Sequence, residues 1–228
     1  MEPAKLCVMA DATTWNEESV SDGSGATKNR RRRRGRVLRI AGVILILAAL
    51  AVGGYVWWLL WGTGYTTRAA QDDLRPRFEE RISTTPATEA PPRTVNVPGS
   101  AVAILRIPKI ELNYVVVEGT DTESLKKGPG HYSWTSYPWE DSGRVAIAGH
   151  RTTYGAPFWS LNELKTGDRI TLATEYGIFN YRVTESRIIP PTREAVLHET
   201  ENPTLVLTTC NPRFSAAERL VVFAQRVN

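Results

Sequence analysis

Hydrophobic and polar positions alternate differently in three stretches of the chain. From Ile40 to Trp61 there are 22 residues without a charge. As a helix that run is about 33 Å long, enough for the hydrocarbon core of a bilayer. Trp57, Trp58 and Trp61 gather at its far end, where an interfacial aromatic belt belongs. Before it, residues 1–39 are polar and predict a disordered tail, ending in Arg30, Arg31, Arg32, Arg33, Arg34, Arg36 and Arg39. After it, residues 62–99 hold Pro76, Pro86, Pro91, Pro92 and Pro98 among Thr and charged residues. They predict an extended stalk with room for a short helix over Gln71–Ile82.

From about Ser100 to Asn228 the period falls to two. Short runs rich in β-branched residues predict strands over Ala101–Ile107, Tyr114–Glu118, Arg144–Ala148, Arg169–Thr174, Ile178–Ile189, Thr204–Thr209 and Arg219–Gln225. Glu118-Gly119-Thr120, Thr166-Gly167-Asp168 and Glu175-Tyr176-Gly177 supply turns between them. Helical patterning is confined to Thr122–Lys127, Pro157–Leu164 and Arg193–His198. Seven or eight short strands with small helical excursions predict a mainly β fold closed into a barrel, preceded by one transmembrane helix.

Charge settles the direction of insertion. The arginines lie flush before the apolar run and few basic residues follow closely. The positive-inside rule then places the N-terminus in the cytoplasm and residues 100–228 outside the cell. A cleaved signal peptide would have a shorter apolar region and a small-residue cleavage site. The formal net charge of +4 is concentrated in this arginine run. It describes a tail abutting a membrane span, and no nucleic-acid surface is expected.

The chain has two cysteines, Cys7 and Cys210, and three histidines. They form neither a disulfide framework nor a zinc spacing, and neither metal nor cofactor is expected. With Cys7 across the membrane, Cys210 must persist as a free thiol among oxidising conditions. It ends the run Thr204–Thr209, where alternation puts it on one face with Val206 and Thr208, opposite Leu205 and Leu207. The Asn211-Pro212 that follows starts a loop, so the thiol should lie near the surface. An ordinary thiol is only about 3% thiolate at pH 7, so reactivity needs a base or cation nearby.

Three histidines compete for that role. His150 follows the strand Arg144–Ala148 and Gly149, at a barrel rim. His131 lies in the loop Gly128-Pro129-Gly130-His131-Tyr132, and His198 in the charged stretch Leu197-His198-Glu199. The segment after Cys210 returns as a hairpin, so Arg219 should sit beside the thiol and could hold an oxyanion. Arg213, inside the loop, is the competing arginine.

The segments Ala148-Gly149-His150-Arg151, Thr208-Thr209-Cys210 and Arg219-Leu220-Val221-Val222 resemble the His, Cys and Arg motifs of sortases, in the family's chain order. Gly149–Phe158 and Thr208–Pro212 are most similar to class E. The resemblance implies an eight-stranded sortase barrel over residues 100–228, with His150, Cys210 and Arg219 catalytic and Thr209 lining the substrate groove. It implies that Cys210 attacks an LPXTG-like or LAXTG-like sorting signal on secreted proteins, forming a thioester that an amine of a cell-wall peptide precursor then resolves. The Asp-Pro-aromatic lid of pilin-polymerising sortases is not seen upstream of the barrel. Two rivals remain open from the sequence: an exported cysteine peptidase that hydrolyses the same thioester, and a non-catalytic barrel that binds the wall.

Overall fold

The computed structural model describes residues 24–84 and 97–227. Residues 1–23 and 85–96, parts of the expected tail and stalk, lie outside the described residues. The chain divides into a first unit ending at Val52 and a second from Gly53 onward. Helix α1, Ser24–Trp57, begins within the stretch expected to be disordered. Arginine is a good helix former, and the apolar run behind it supplies a helical nucleus. In the first unit Ile44, Leu45, Ile46 and Leu47 are all more than half exposed. A helical stretch apolar and exposed on every side is suited to lipid. It is the one helix among the described residues long and apolar enough to cross a membrane.

A π-helical turn, Trp58–Gly62, follows. Gly62 is required there, because a Cβ would meet the Trp58 ring at 2.5 Å. Helix α2 then runs from Gly64 to Thr84 through Pro76. This corrects the expected extended stalk: the short helix anticipated over Gln71–Ile82 is part of a longer one docked on the barrel. Leu74, Phe78 and Ile82 recur every four residues and pack with Ile104, Val115 and Ala173. Phe78 is 1% exposed. The polar end of α2 is clamped too. Gln71 donates through Nε2 to the carbonyls of Val115 and Lys127 and accepts from the Val115 N–H, at 2.7–3.0 Å. Thr67 donates to the Lys126 carbonyl at 2.7 Å.

Eight strands close the barrel: β1 Ala101–Ile107, β2 Leu112–Glu118, β3 Gly130–His131, β4 Arg144–Ala148, β5 Arg169–Thr174, β6 Gly177–Ile189, β7 Thr204–Asn211 and β8 Glu218–Val227. Their order is β1-β2-β3-β4-β7-β8-β6-β5. The pairs β2/β3 and β4/β7 are parallel and the others antiparallel. Helix α3 spans Thr122–Lys127 as expected, N-capped by Asp121. The helices expected over Pro157–Leu164 and Arg193–His198 shrink to 3-10 turns at Leu161–Glu163 and Glu194–Leu197.

Alternation sorts the strands onto two faces. Val145, Ile147, Leu205, Leu207, Leu220 and Val222 fill the barrel with Phe158, Leu161 and Tyr181. Ala146, Val206 and Val221, one residue out of step, point outward and pack with Ile189 and Leu197. That outer patch becomes the floor of the site below. Replacing Gln71 with Ala would leave the Val115 N–H and carbonyl unpaired in a buried seam. The expected cost is about 2 kcal/mol, read as a fall of about 4–8 °C in the melting temperature of the full chain; an unchanged melting temperature would contradict the clamp.

Candidate active site

The outer face of β7 carries Val206, Thr208 and Cys210 in sequence, continuing the alternation that sends Leu205 and Leu207 inside. Cys210 is half-buried, a free cysteine at the strand's end. In the antiparallel pair β7/β8 it stands directly opposite Arg219. Arg219 shares the outward phase of Val221, so thiol and guanidinium are cross-strand neighbours on one face. Arg219 Nη1 donates to the carbonyls of Ala216 and Glu218 at 3.1 and 3.0 Å. These bonds tie the guanidinium to the loop joining the two strands.

His150 arrives from the other side. In the parallel pair β4/β7, Ala148 is level with Thr208. The chain keeps that alignment past the end of β4. The Gly149 N–H donates to the Thr208 carbonyl at 3.1 Å, and the Thr209 hydroxyl donates to the Gly149 carbonyl at 2.7 Å. His150 follows Gly149 directly, so its backbone leaves the strand beside the end of β7 that carries Cys210. Gly149 is required, since a Cβ would lie 2.6 Å from the Phe158 ring. The Phe158 N–H returns to the His150 carbonyl at 3.1 Å and closes the loop. Burial holds the His150 imidazole below its ordinary pKa. Its ring rests against Tyr154, centroids 4.9 Å apart.

Arg151 was overlooked by the sequence reading and is the most heavily committed polar group here. It is 6% exposed. Its Nη1 donates to the Cys210 carbonyl at 3.2 Å and to Asn211 Oδ1 at 2.7 Å, and its Nη2 to Asn162 Oδ1 at 2.9 Å. Burial, and secondarily the charge of Arg213, pull this guanidinium below its usual range; negative charge on Cys210 pulls it back. One cation thus ties the His150 loop to the backbone of the nucleophile candidate.

A cavity of about 340 Å³ opens over the outer apolar patch and reaches Thr208 and Arg219, the neighbours of Cys210 along β7 and across β8. Thr208, Arg219, Tyr132, Trp134, Ile189 and Val221 are among its walls. The Tyr132 hydroxyl and Thr208 Oγ1 are hydrogen-bonded at 3.2 Å across it. Thr209 is not among the walls of this cavity. It is 3% exposed, on the inward phase of β7, with its hydroxyl spent on Gly149. Thr208, one residue earlier and in phase with Cys210, occupies the place expected of it.

The competing residues have other duties. His131 is 1% exposed on β3, opposite Ile147. Its Nδ1 faces Glu118 at 3.2 Å, and its Nε2 faces the Ser136 carbonyl at 3.1 Å and Thr135 Oγ1 at 3.2 Å. Burial alone would raise the Glu118 carboxyl. Hydrogen bonds from His131, Ser133 and Tyr137, with the His131 charge, hold it below the usual carboxylate range. His198 is exposed. Arg213 lies over the Trp159 ring, 4.3 Å from its centroid, and donates to the Trp159 carbonyl.

A half-buried thiol, an imidazole held below its ordinary pKa and a guanidinium are the parts of nucleophilic acyl transfer. Comparisons with known proteins agree. Residues 105–227 match the Sortase domain family. Sortase D of Bacillus subtilis is 31% identical over 202 residues, covering 83% of this chain and 98% of that protein. Sortase SrtE1 of Streptomyces coelicolor is 32% identical over 147 residues, covering 57% of this chain and 41% of that protein. Among solved structures, a Clostridium perfringens Sortase D5 transpeptidase superposes with a TM-score of 0.58 at 26% identity, covering 72% of this chain and 99% of that one. Sortase E from Streptomyces avermitilis gives 0.52 at 36%, covering 58% and 91%. With the barrel, the outward Cys210 and a match over more than half its length, the chain belongs to the sortase family of cysteine transpeptidases.

Proposed function

We propose that Cys210, His150 and Arg219 carry out a two-step acyl transfer that attaches secreted proteins to the cell wall. The observation that supports this most is the pairing of Cys210 directly opposite Arg219 across β7/β8, with the chain entering His150 tied to β7 by Ala148 level with Thr208 and by the Thr209–Gly149 hydrogen bond. An extended C-terminal sorting signal, LPXTG-like or LAXTG-like, occupies the groove over Val206 and Val221. The sulfur attacks the carbonyl of its Thr–Gly bond while His150, resting neutral near pH 7, takes the thiol proton. Arg219 donates to the oxyanion or to the signal's backbone. The C–N bond breaks, His150 returns its proton to the departing amine, and an acyl thioester remains on Cys210. An amine of a cell-wall peptide precursor then attacks, gives its proton to His150, and expels the sulfur. The apolar run of α1 anchors the chain in the membrane, with the barrel on the outer side and the arginine-rich end in the cytoplasm.

Arg151 enters as a positioning residue. It touches no reacting atom through the contacts described, but it fixes the backbone that carries the sulfur against the loop that carries the imidazole.

Incubating the full chain with a sorting-signal peptide and an excess of amine should give the amide product. Cys210→Ala and His150→Ala should abolish it, with the melting temperature little changed. His131→Ala should lower stability, because buried Glu118 loses its histidine partner, while folded protein still turns over. Hydrolysis alone at high amine would make the protein a peptidase; normal function in Cys210→Ala would make it a binding barrel.

The pH dependence follows from burial of His150. With its native pKa below the ordinary value of about 6.5, the unfolded state binds more protons between the two values. This group therefore destabilises the fold as pH falls through that window, and stability recovers as pH rises above it. An imidazole NMR titration should put the His150 midpoint below about 6.5; a midpoint above it contradicts the assignment.

Arg151→Met should lower kcat/KM at least about tenfold, roughly 1.4 kcal/mol, with Arg151→Lys recovering only part because it cannot span three acceptors. Alkylation of Cys210 should still go to completion. Unchanged turnover in Arg151→Met would leave the residue a purely structural staple.

A further inference from the structure

A separate cavity of about 440 Å³ lies between the start of α2 and the loops that carry His150 and follow Cys210. Leu60, Trp61, Arg68, Ala156, Trp159 and Phe214 are among its walls. The proposed chemistry makes no use of it. Its rim is aromatic and faces outward: Trp61 is 62% exposed, Phe214 67% and Trp159 40%, with Tyr65, 67% exposed, one residue past Gly64. A lone apolar side chain in water is ordinary; three from three distant segments around one cavity, with Tyr65 exposed nearby on α2, make a contact surface.

The fold holds these rings in place. Phe214, in the loop between β7 and β8, has a φ of 65°, a left-handed conformation rare for a bulky residue. Its ring meets Trp159 edge-on at 6.0 Å, and Trp159 in turn carries the Arg213 guanidinium. Trp61 is fixed from behind. Thr63, 7% exposed, donates to the Leu59 carbonyl and accepts from the Tyr154 N–H at 3.0 Å. With Thr67 and Gln71 it locks the start of α2 to the barrel. Trp61, Trp159 and Phe214 therefore stand around one cavity on one fixed face.

Trp61 also ends the uncharged stretch that begins at Ile40, and Trp57 and Trp58 stand just before it. Tryptophans at the end of a span mark the membrane–water interface. We propose that this face of the catalytic domain rests in the headgroup layer of the bilayer, with phospholipid occupying the cavity. Trp61, Trp159 and Phe214 reach the acyl boundary, and Arg68 and Arg213 meet lipid phosphates. The inference rests on residues 40–61 being a membrane span. Phe214 is four residues past Cys210, so the nucleophile's own loop touches lipid. A substrate borne by the same membrane then meets the thiol at high effective concentration.

The test uses the full chain carrying Cys7→Ser and Cys210→Ala, with one cysteine added by Phe214→Cys or Tyr65→Cys and labelled with the polarity-sensitive fluorophore NBD. Ile178→Cys is the control. Ile178 is exposed, beside the turn whose Glu175 pairs with Arg81, near the far end of α2. That end is about 30 Å along the helix from Gly64. In vesicles of phosphatidylcholine with some phosphatidylglycerol, labels at 214 and 65 should be blue-shifted. They should also be quenched at least about twofold more than at 178 by nitroxide lipids labelled at the headgroup or upper acyl chain. Equal quenching at 214, 65 and 178 overturns the proposal. Emission that follows protein density and ignores nitroxide lipid also overturns it, by assigning the face to a second copy of the chain. A chain that does not float with the vesicles overturns the membrane span and the proposal together, whereas a floating chain with 214 and 65 unquenched overturns the proposal alone.

Discussion

Backbone hydrogen bonding along β7 sets everything that happens at its end. The strand pairs in parallel with β4 and antiparallel with β8, and the two registers bring residues distant in the chain to one level. A one-residue slip of β7 would turn Cys210 inward and Leu205 and Leu207 outward, or separate Cys210 from Arg219. The register is strongly specified because the inward phase puts Leu205 and Leu207 into the buried core. The packing that stabilises the barrel therefore also aims the sulfur.

Beyond the strands, the alignment is maintained by polar groups spent on backbone. Thr209 and Arg151 bind the chain on either side of His150 to the chain on either side of Cys210. Both are buried, where such bonds are costly to leave unmade. Three cationic or protonatable groups serve Cys210 from two elements: His150 and Arg151 on the loop after β4, and Arg219 on β8. Favouring negative charge at sulfur and oxyanion is what this arrangement does best. The other histidine of the barrel, His131, has both ring nitrogens committed to Glu118 and to the 135–136 loop. It braces the segment bearing Tyr132 and Trp134, which wall the groove.

Much of this was legible in residue order. Period-two alternation located seven strands, and the His, Cys and Arg segments gave the three chemical groups. What escaped did so for physical reasons. Strand β3 is two residues long and contains glycine, too short for any period to register. The docked helix α2 was masked by Pro76 and by a charged surface, although Leu74, Phe78 and Ile82 formed an apolar stripe. Thr209 was placed in the groove by likeness to a motif. The alternation rule applied to Cys210 already put Thr208 on the groove side and Thr209 inside. Arg151 was visible only as a neighbour of His150, because a buried cation is recognised by its acceptors, and Asn162 and Asn211 are brought to it only by folding.

The central claim is that the sulfur of Cys210 becomes an acyl carrier. Mass spectrometry of the full chain, quenched with acid during turnover of a sorting-signal peptide library, tests it most directly. The expected result is an adduct on the proteolytic fragment containing Cys210, equal in mass to the peptide cut after its threonine and released by neutral hydroxylamine, as a thioester is. An unmodified Cys210 during active turnover, or an acyl group on another residue, would contradict it.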